Sequence, residues 1–460
     1  MVRLLNAYHP SRTILLVTCE ALLIALSFVV AITLRHGEHF GEVLTAPGIL
    51  QLVVTTLVYL LCLWYLDSYD VRMTVHRVDL LWRLACVIGG GAILLGVAEY
   101  LFPNIIPFGD VYVLAIIISA ALILPARMVF AKLLQNPAER MIMVGLSDFA
   151  CGLGHLIQRR PDLGIDLVGY VDDGNEATKF TPPAARLGST RDLAEVVTKS
   201  RATTLMIALR DGRGHLPVND LVRLRLGGIR IYEAGTVCEQ VVGKVPVEDV
   251  RQSWLIFSEG FRIRRHLVAL QRVYSLIFAA FGLIMALPLM ALIALAIKLD
   301  SAGPVFYSQE RVGWKGRTFR LFKFRSMYPD AEKHSGPAWA VDKDPRVTRV
   351  GGFLRLSHLD ELPQLWNVLR GQMNLVGPRP ERPDFVKILE AATPYYQYRR
   401  LLRPGLTGWQ QVNQGYCSTV DEQLDRLRYD LFYTKNVSFS LDLFILFKTG
   451  KIIVWGQGAR

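Results

Sequence analysis

The chain has 460 residues, of which 52% are hydrophobic, and 52 Lys and Arg against 40 Asp and Glu give a formal net charge of +12. The mean hydropathy of +0.29 is high for a soluble protein, and a chain of this length is expected to form two or three domains. The ample apolar material excludes disorder over most of the chain. The six Cys residues are scattered without metal-ligand spacing, which excludes a disulfide scaffold and argues against structural zinc.

The positive charge is concentrated in the last 200 residues. Residues 261–460 carry 29 Lys and Arg against 16 Asp and Glu, a net of +13, whereas residues 1–260 carry 23 against 24, a net of −1. Nucleic acid, a membrane surface or a phosphate-rich substrate would each attract such a region.

The first 138 residues predict a four-helix transmembrane bundle. Four apolar stretches each reach about the 17–25 residues that cross the hydrocarbon core: Thr13–Leu34, Ile49–Leu66, Leu80–Phe102 and Val111–Phe130. The distribution of basic residues in the loops places both ends of this bundle in the cytoplasm. Glu20 and Arg83 lie within the spans, and we interpret them as interior-facing or interfacial charges rather than as a transport site.

Residues 139–245 predict a soluble domain in which strands alternate with helices, as in a parallel sheet of Rossmann type. The predicted strands are Met141–Val144, Leu167–Val171, Leu205–Ala208 and Ile229–Tyr232. Gly145, Gly152 and Gly154 do not form G-x-G-x-x-G, so the tight pyrophosphate turn is missing. A nucleotide site would use Asp172 or Asp173, but a Rossmann-like fold without a cofactor is the preferred interpretation.

A linker at 246–265 leads to a second kind of membrane segment. Val273–Leu299 is apolar and long enough to cross a membrane, yet basic residues flank it on both sides, which places both of its ends in the cytoplasm. Pro288 near its middle removes a backbone donor and can break the helix into two arms. We therefore predict a re-entrant helix over 266–299. The alternative is a kinked fifth span, which would place the C-terminal domain outside the cell.

Asp360 and Glu361 are the strongest candidates for chemistry. They precede Pro363 and an apolar stripe that ends at Gly371, a pattern that predicts a helix N-terminus with Asp360 at or near the cap. Unpaired N–H groups there favour an ionised carboxylate and suit a phosphate. Plain helix capping is the alternative interpretation.

Several cations accompany this pair. Lys323 and Arg325 share one face of the predicted strand Thr318–Met327. Arg379 stands between two prolines and Arg403 directly before one, so the direction of each side chain is restricted in advance. Together these residues predict a phosphate-binding surface around the two carboxylates.

Five segments in this order resemble the bacterial sugar transferases, which are polyprenyl-phosphate glycosyl-1-phosphate transferases. The segments are Lys323–Met327, Leu359–Leu365, Gly377–Pro380, Pro404–Trp409 and Ser440–Leu443. The resemblance covers the predicted catalytic domain, residues 266–460. The four spans and the middle domain are similar to those of the large exopolysaccharide-initiating members, and the two ends of the chain resemble an exosortase-associated subgroup.

The resemblance implies transfer of a sugar-1-phosphate from a UDP-sugar to undecaprenyl phosphate, with release of UMP, as the first membrane step of exopolysaccharide synthesis. It implies Asp360 as the nucleophile of a covalent phosphosugar intermediate and Glu361, with Asp360, as a ligand of Mg²⁺. It adds Arg355 and Asp442 to the site beside the cations already named, with Asp442 supporting the metal or positioning the acceptor. It also implies the bacterial inner membrane, a cytoplasmic catalytic face and possible homodimers, and it leaves nucleic acid without a role.

Two other functions are alternatives to the transferase. A nucleotide-sugar dehydratase or epimerase would need an intact glycine fingerprint and a Tyr-x-x-x-Lys pair, and neither occurs between Arg140 and Lys244. A non-catalytic scaffold of polysaccharide assembly would leave the two carboxylates unexplained. His358 stands where many members of the family have Ser, and a variable surface position is the preferred interpretation. The sugar is left open.

Overall fold

The computed structural model describes residues 2–4, 7–35, 37, 41, 45–66, 68–69, 77–101, 111–135, 139–174, 180–209, 216–246, 265–329, 346–414 and 419–455. The chain divides into two compact units, the first formed mainly by residues 8–237 and the second mainly by residues 238–460. Most of the predicted linker, residues 247–264, lies outside the described residues, and the predicted domain boundaries stay predictions.

The first unit begins with a helical bundle. The bundle helices are α1 (Ser11–Arg35), α2 (Ala46–Tyr65), α3 (Arg77–Leu101) and α4 (Tyr112–Gln135). They follow the short strands β1 (Val2–Leu4) and β2 (Ala7–His9), of which Arg3, Leu4 and Ala7 group with the second unit. A buried core that includes Phe28, Leu63 and Leu95 joins these helices. The predicted span Leu80–Phe102 lies largely within α3, whose described apolar segment, Leu84–Tyr100, is shorter than the other spans.

Four described helices are long and apolar enough to cross a membrane, by length and composition: Ser11–Arg35, Pro47–Tyr65, Val113–Phe130 and Arg265–Asp300. The protein is therefore a membrane protein with an α/β part. The first three lie in the bundle, and the fourth belongs to the second unit.

A buried ion pair joins α1 to α4. Arg127 Nε lies 2.5 Å from Glu20 Oε1, Arg127 Nη2 lies 3.1 Å from Oε2, and Arg127 Nη1 donates to the Ser68 carbonyl at 3.0 Å. Both side chains are almost fully buried. The partner of Glu20 is thus Arg127, whereas the side chain of Arg83 lies outside the described residues. A bidentate pair inside the bundle fits the interior-facing interpretation.

The rest of the first unit is a five-stranded sheet in which every described strand pair is parallel, in the order β5-β4-β3-β6-β7. Its strands and helices are β3 (Glu139–Val144), α5 (Asp148–Gln158), β4 (Ile165–Val171), β5 (Arg186–Gly188), α6 (Leu193–Ser200), β6 (Thr204–Ile207), α7 (Val218–Leu226) and β7 (Arg230–Glu233). The four predicted strands are found within two residues of their expected ends. The three-residue strand β5 was not predicted, because it is too short for an alternating pattern.

The two acidic residues at the end of β4 are used within the domain. Asp172 accepts hydrogen bonds from the backbone N–H groups of Leu146 at 3.1 Å and Gly174 at 2.6 Å. Asp173 accepts from the hydroxyls of Ser189 and Thr190, both at 2.6 Å, and these bonds lower its pKa to about 2. The carboxylates that a nucleotide site would need therefore already form hydrogen bonds to neighbouring loops of the same domain.

The second unit packs short helices and two pairs of strands around a long helix. Helix α8 (Ala234–Val242) crosses the division between the units. The remaining helices are α9 (Arg265–Asp300), α10 (Arg349–Leu356), α11 (Gln364–Leu369), α12 (Pro383–Ala392), α13 (Trp409–Asn413), α14 (Val420–Lys435) and α15 (Phe439–Trp455). Strands β8 (Phe306–Val312) and β9 (Thr318–Phe324) pair antiparallel, and β10 (Asn374–Val376) and β11 (Gly405–Thr407) pair parallel.

Helix α9 has 36 residues, which corresponds to a length of about 54 Å at 1.5 Å per residue. It continues through Pro288 without interruption, whereas the sequence predicts a break into two arms there. The re-entrant course of the helix stays a prediction. A proline inside a helix removes one hydrogen bond and kinks the helix without necessarily ending it. Residues Gln271–Ala279 and Ile293–Ile297 contribute the buried side chains of α9, whereas the segment between them exposes large apolar side chains.

Candidate active site

The adjacent carboxylates lie in a single 3-10 turn, Leu359–Glu361, between α10 and α11. Asp360 is buried, with 6% of its surface exposed. The predicted helix N-terminus is therefore corrected by one turn, because Pro363 is the N-cap residue of α11 and no side-chain capping bond is made there. The carboxylates precede the helix instead of capping it, so the plain capping interpretation does not account for them.

Two of the predicted cations meet these carboxylates. Lys323 Nζ lies 2.6 Å from Glu361 Oε1 and 3.4 Å from Asp360 Oδ2. Arg379 Nη2 lies 3.0 Å from the same Glu361 oxygen. Lys323 thus bridges the pair, and Arg379 reinforces one member of it.

The two carboxylates are not equivalent. Burial by itself would raise the pKa of Glu361, but Lys323 and Arg379 outweigh it and hold that pKa well below its usual range. Asp360 receives only the longer contact from Lys323 within the part of the chain that the structure describes. Glu361 is therefore held by two cations, whereas one carboxylate oxygen of Asp360 makes no hydrogen bond with the described residues.

Asn367 fixes the distance between the turn and the strand that carries Lys323. Its Oδ1 accepts from the Phe322 N–H at 3.0 Å, and its Nδ2 donates to the Arg320 carbonyl at 2.7 Å. The side chain is fully buried in α11. Because a buried amide with three hydrogen bonds permits little movement, α11 and β9 hold Lys323 against the carboxylates.

Arg379 is positioned by its backbone. A Cβ added to Gly377 would lie 2.4 Å from the Arg403 carbonyl, so the two proline-containing loops approach as closely as glycine allows. Gly405 N donates to the Pro378 carbonyl at 3.0 Å. On the other side, Arg399 Nη2 donates to the Arg379 carbonyl at 2.7 Å. The loop that presents Arg379 is thus held on both sides.

Three of the predicted cations have their described bonds elsewhere. Arg403 Nε donates to the Gly371 carbonyl at 3.1 Å and makes no described bond to the carboxylates. Arg325 is 5% exposed and donates to the carbonyls of Ile297, Ser301 and Ala302 at the end of α9. Strand β9 ends at Phe324, so the alternation that would place Arg325 beside Lys323 stops one residue too early. Arg355 Nε donates to the Ser326 hydroxyl at 3.0 Å and makes no described bond to the carboxylates.

Asp442 is 1% exposed and forms the centre of a hydrogen-bond network. It accepts from Gln271 Nε2 at 2.8 Å, from the Tyr433 hydroxyl at 2.6 Å and from the Tyr274 hydroxyl. Burial raises the pKa of Asp442 to about 6, although these three hydrogen bonds oppose the rise. The structure places Asp442 between α9, α14 and α15, with no described bond to Asp360 or Glu361.

His358, the residue before the turn, adopts a left-handed conformation with φ of 56°. Its Nε2 is buried and has no hydrogen-bond partner among the described residues. A non-glycine residue in this conformation is strained, which does not fit a freely variable surface position.

Sequence reasoning found Lys323 and Arg379 but missed Asn367, Arg399 and Gln271. Asn367 follows Asp360 in the same short segment, so its proximity to the carboxylates could be predicted. Its hydrogen bonds to β9 could not. Gln271 and Arg399 carry no pattern of their own, and their partners lie far away in sequence.

The two carboxylates could hold a divalent metal. No group of three or more His, Cys, Asp and Glu residues suited to a metal occurs among the residues that the structure describes. Mg²⁺ is commonly held by one or two carboxylates together with substrate phosphates and water. Asp360 and Glu361 match that donor set, so the residues present fit such an ion.

Comparisons with known proteins show which sequences this chain resembles. The sequence model of the family described as "Bacterial sugar transferase" matches residues 266–456. An Aeromonas hydrophila protein named UDP-N-acetylgalactosamine-undecaprenyl-phosphate N-acetylgalactosaminephosphotransferase is 40% identical over 241 residues, 52% of this chain and 56% of that protein. A Xanthomonas campestris pv. campestris protein named UDP-glucose:undecaprenyl-phosphate glucose-1-phosphate transferase is 34% identical over 337 residues, 69% of this chain and 67% of that protein.

A Bacillus subtilis (strain 168) protein named as a putative undecaprenyl-phosphate N-acetylgalactosaminyl 1-phosphate transferase is 50% identical over 143 residues, 31% of this chain and 79% of that protein. The chain thus spans 56% to 79% of the length of these three relatives. The family match runs through the turn with the two carboxylates. The chain belongs to the bacterial sugar transferase family.

Proposed function

We propose that the protein transfers a sugar-1-phosphate from a UDP-sugar to undecaprenyl phosphate. The observation that carries this proposal is the pair of adjacent carboxylates with unequal surroundings, Glu361 held by two cations and Asp360 lightly held. The printed names of the relatives support the same chemistry. These names include both N-acetylgalactosamine and glucose. The sugar is therefore to be identified by testing a panel of UDP-sugars.

In the first half-reaction, a carboxylate oxygen of Asp360 attacks the sugar-bearing phosphorus. An Asp–phosphorus bond forms, the bond to the bridging oxygen breaks, and UMP leaves with that oxygen and its electron pair. Lys323 lies where it can offset charge on the phosphate oxygens, and Arg379 adds a second cation. Phosphoryl transfer depends mainly on such positioning and charge stabilisation.

In the second half-reaction, a phosphate oxygen of undecaprenyl phosphate attacks the same phosphorus. A diphosphate bond forms, the bond to Asp360 breaks, and the carboxylate is regenerated. Glu361 stays ionised throughout, because its two cations hold its pKa low. Asp360 and Glu361 would hold Mg²⁺, which would supply positive charge against the substrate phosphates.

A lipid acceptor requires a site at the membrane surface. Both ends of α9 contribute buried residues to the second unit, Tyr274 and Ala279 at one end and Ile293 and Ile297 at the other. A kink at Pro288 would let a helix of about 54 Å keep both contacts, which supports a re-entrant helix and a cytoplasmic catalytic face. Cysteine labelling on both sides of the inner membrane tests this, and a C-terminus reachable only from outside would refute it.

The sheet of the first unit has the strand order of a Rossmann-like domain, which supports our assignment of that fold. We assign it no cofactor, because Asp172 and Asp173 already bond to the domain itself. Measurable binding of NAD⁺ or a nucleotide sugar to this domain would contradict the assignment.

The main experiment measures UMP release by the purified full-length protein with undecaprenyl phosphate, Mg²⁺ and a panel of UDP-sugars. Asp360→Asn should abolish UMP release and the retention of radiolabel from the sugar-phosphate on the protein. The substitution keeps the side-chain volume but removes the nucleophilic charge.

Asp384→Asn is the matched control, since Asp384 is exposed on α12 and makes the same change of charge. It should retain full activity. Comparable thermal unfolding of both variants would show that loss of activity is not loss of fold. Full activity of Asp360→Asn would refute the covalent mechanism.

A further inference from the structure

Two cations lie over one aromatic ring in the second unit, and a third bonds to the same turn as one of them. The guanidinium carbon of Arg403 lies 4.3 Å from the centroid of the Trp314 ring, and Lys315 Nζ lies 4.7 Å from it. Arg403 Nε donates to the Gly371 carbonyl at 3.1 Å, and Arg272 Nη2 donates to the Leu369 carbonyl of the same turn at 3.2 Å. Arg272, Trp314, Lys315 and Arg403 are called the Trp314 cluster below.

Capping of α11 explains only part of this cluster. Arg272 and Arg403 satisfy carbonyls at the C-terminal end of that helix, where cations are favourable. Arg403 Nη1 and Nη2 and Lys315 Nζ, however, have no protein acceptor in the described part of the chain. None of the three cations pairs there with a carboxylate. Burial lowers the pKa of Arg403, as expected for a partly desolvated cation without a counter-charge.

The backbone holds Lys315 and Trp314 in place. Lys315 has φ of 55°, a left-handed conformation that is unfavourable for a non-glycine residue. Trp314 Nε1 donates to the Leu401 carbonyl at 3.3 Å, which fixes the ring. The turn thus keeps an exposed lysine over a fixed ring.

The position of Arg272 on α9 indicates where that ligand comes from. Exposed apolar side chains of α9 follow Arg272, with Val273, Ile277 and Phe281 exposed by 54%, 60% and 64%. Arginine and tryptophan at the edge of an apolar surface are typical of the headgroup level of a membrane. The cluster therefore lies where an apolar membrane surface changes to a basic one.

We propose that the Trp314 cluster binds the phosphate of an anionic membrane phospholipid. Arg403 and Lys315 would contact the phosphate oxygens from two sides, and Trp314 would lie against the glycerol backbone. Arg403, which the sequence predicts at the two carboxylates, has its described contacts in this cluster instead. The bound lipid would fix the height of the second unit at the bilayer surface.

The test uses the full-length protein in nanodiscs of phosphatidylcholine and phosphatidylglycerol, with native mass spectrometry to count the lipids that remain bound. Wild type should retain phosphatidylglycerol in preference to phosphatidylcholine. Lys315→Gln and Arg403→Gln should each weaken this retention about fivefold, the effect of about one cation at an anionic surface. Lys315 is exposed, so its variant should fold normally.

Arg370→Gln is the matched control, because exposed Arg370 also lies over a tryptophan, Trp366, at 5.5 Å. It should leave retention unchanged. Equal retention by wild type and both cluster variants would overturn the proposal, as would an equal loss in Arg370→Gln. Displacement of the lipid by millimolar inorganic phosphate would assign the site to free phosphate and overturn the lipid assignment.

Discussion

At the scale of single residues, two neighbouring carboxylates in one turn have different surroundings. Glu361 has two cations on one oxygen, whereas Asp360 has one distant contact. A nucleophile must keep an oxygen free, and a residue that organises charge must be anchored. The difference in their surroundings supports the proposed roles, Asp360 as the nucleophile and Glu361 as the residue that organises charge.

Asp442 predicts a pH dependence of stability. Its pKa is raised to about 6 in the folded protein, against about 3.9 for an ordinary Asp. The folded state therefore binds the proton more tightly, and its stabilising effect is complete below about pH 4 and lost as the pH rises through 6, a loss of up to about 3 kcal/mol. Asp442→Asn should show a smaller difference in thermal unfolding midpoint between pH 4.5 and 7 than wild type.

Asp430 contributes in the same direction, because burial also raises its pKa to about 6 despite Arg399 and Arg426. The Asp442→Asn variant should therefore keep part of the pH dependence. Identical pH profiles for wild type and variant would contradict the assignment of the shift to Asp442.

At the scale of elements, Asn367 makes α11 and β9 one rigid piece. Asn367→Ala would leave the Phe322 N–H and the Arg320 carbonyl, both part-buried, without their partner, at about 1–2 kcal/mol for each group. We expect a loss of about 2–4 kcal/mol in the free energy of unfolding and a lower transferase rate, since Lys323 would lose its fixed distance to the carboxylates.

Gln372→Ala is the comparison for this variant. It removes only the 2.8 Å bond between Gln372 Oε1 and Asn367 Nδ2 and leaves both bonds to β9 intact. Equal effects of the two substitutions would show that the bonds to β9 are not what matters. Chemical denaturation in detergent and initial rates of UMP release measure both quantities.

Prediction from sequence succeeded where the pattern was local. The spacing of Lys323 in an alternating strand and the two prolines around Arg379 predicted cations at the carboxylates, and both are found there. Arg325 was misplaced, because an alternating pattern does not show that β9 ends at Phe324. The partners of Asp442 could not be predicted, since Gln271 lies 171 residues away and packing alone brings them together.

At the scale of the whole molecule, the second unit begins before the segment that the family model matches. Trp409 Nε1 donates to the Gly243 carbonyl at 2.8 Å, and Lys435 Nζ lies 2.7 Å from Glu239 Oε2. Val245 is fully buried in the core of this unit. These residues connect the segment after α7 to the fold that carries the site.

A shortened chain tests this connection. A chain that begins at residue 238 should fold and retain part of the transferase activity, whereas one that begins at residue 266 should be less stable, because it loses these contacts and the 2.6 Å pair of Lys244 with Asp425. Thermal unfolding of both chains in detergent gives the comparison. Equal midpoints would show that residues 238–246 add nothing to the second unit.

The buried pair in the bundle has a consequence for how the protein enters the membrane. Glu20 and Arg127 are separated by 107 residues, so α1 is synthesised long before its partner exists. A lone charge at the centre of a membrane helix costs about 2.5–3.5 kcal/mol during insertion. The first helix therefore carries an unpaired polar side chain until α4 has been synthesised. Assembly of the bundle is then completed by the last helix rather than begun by the first.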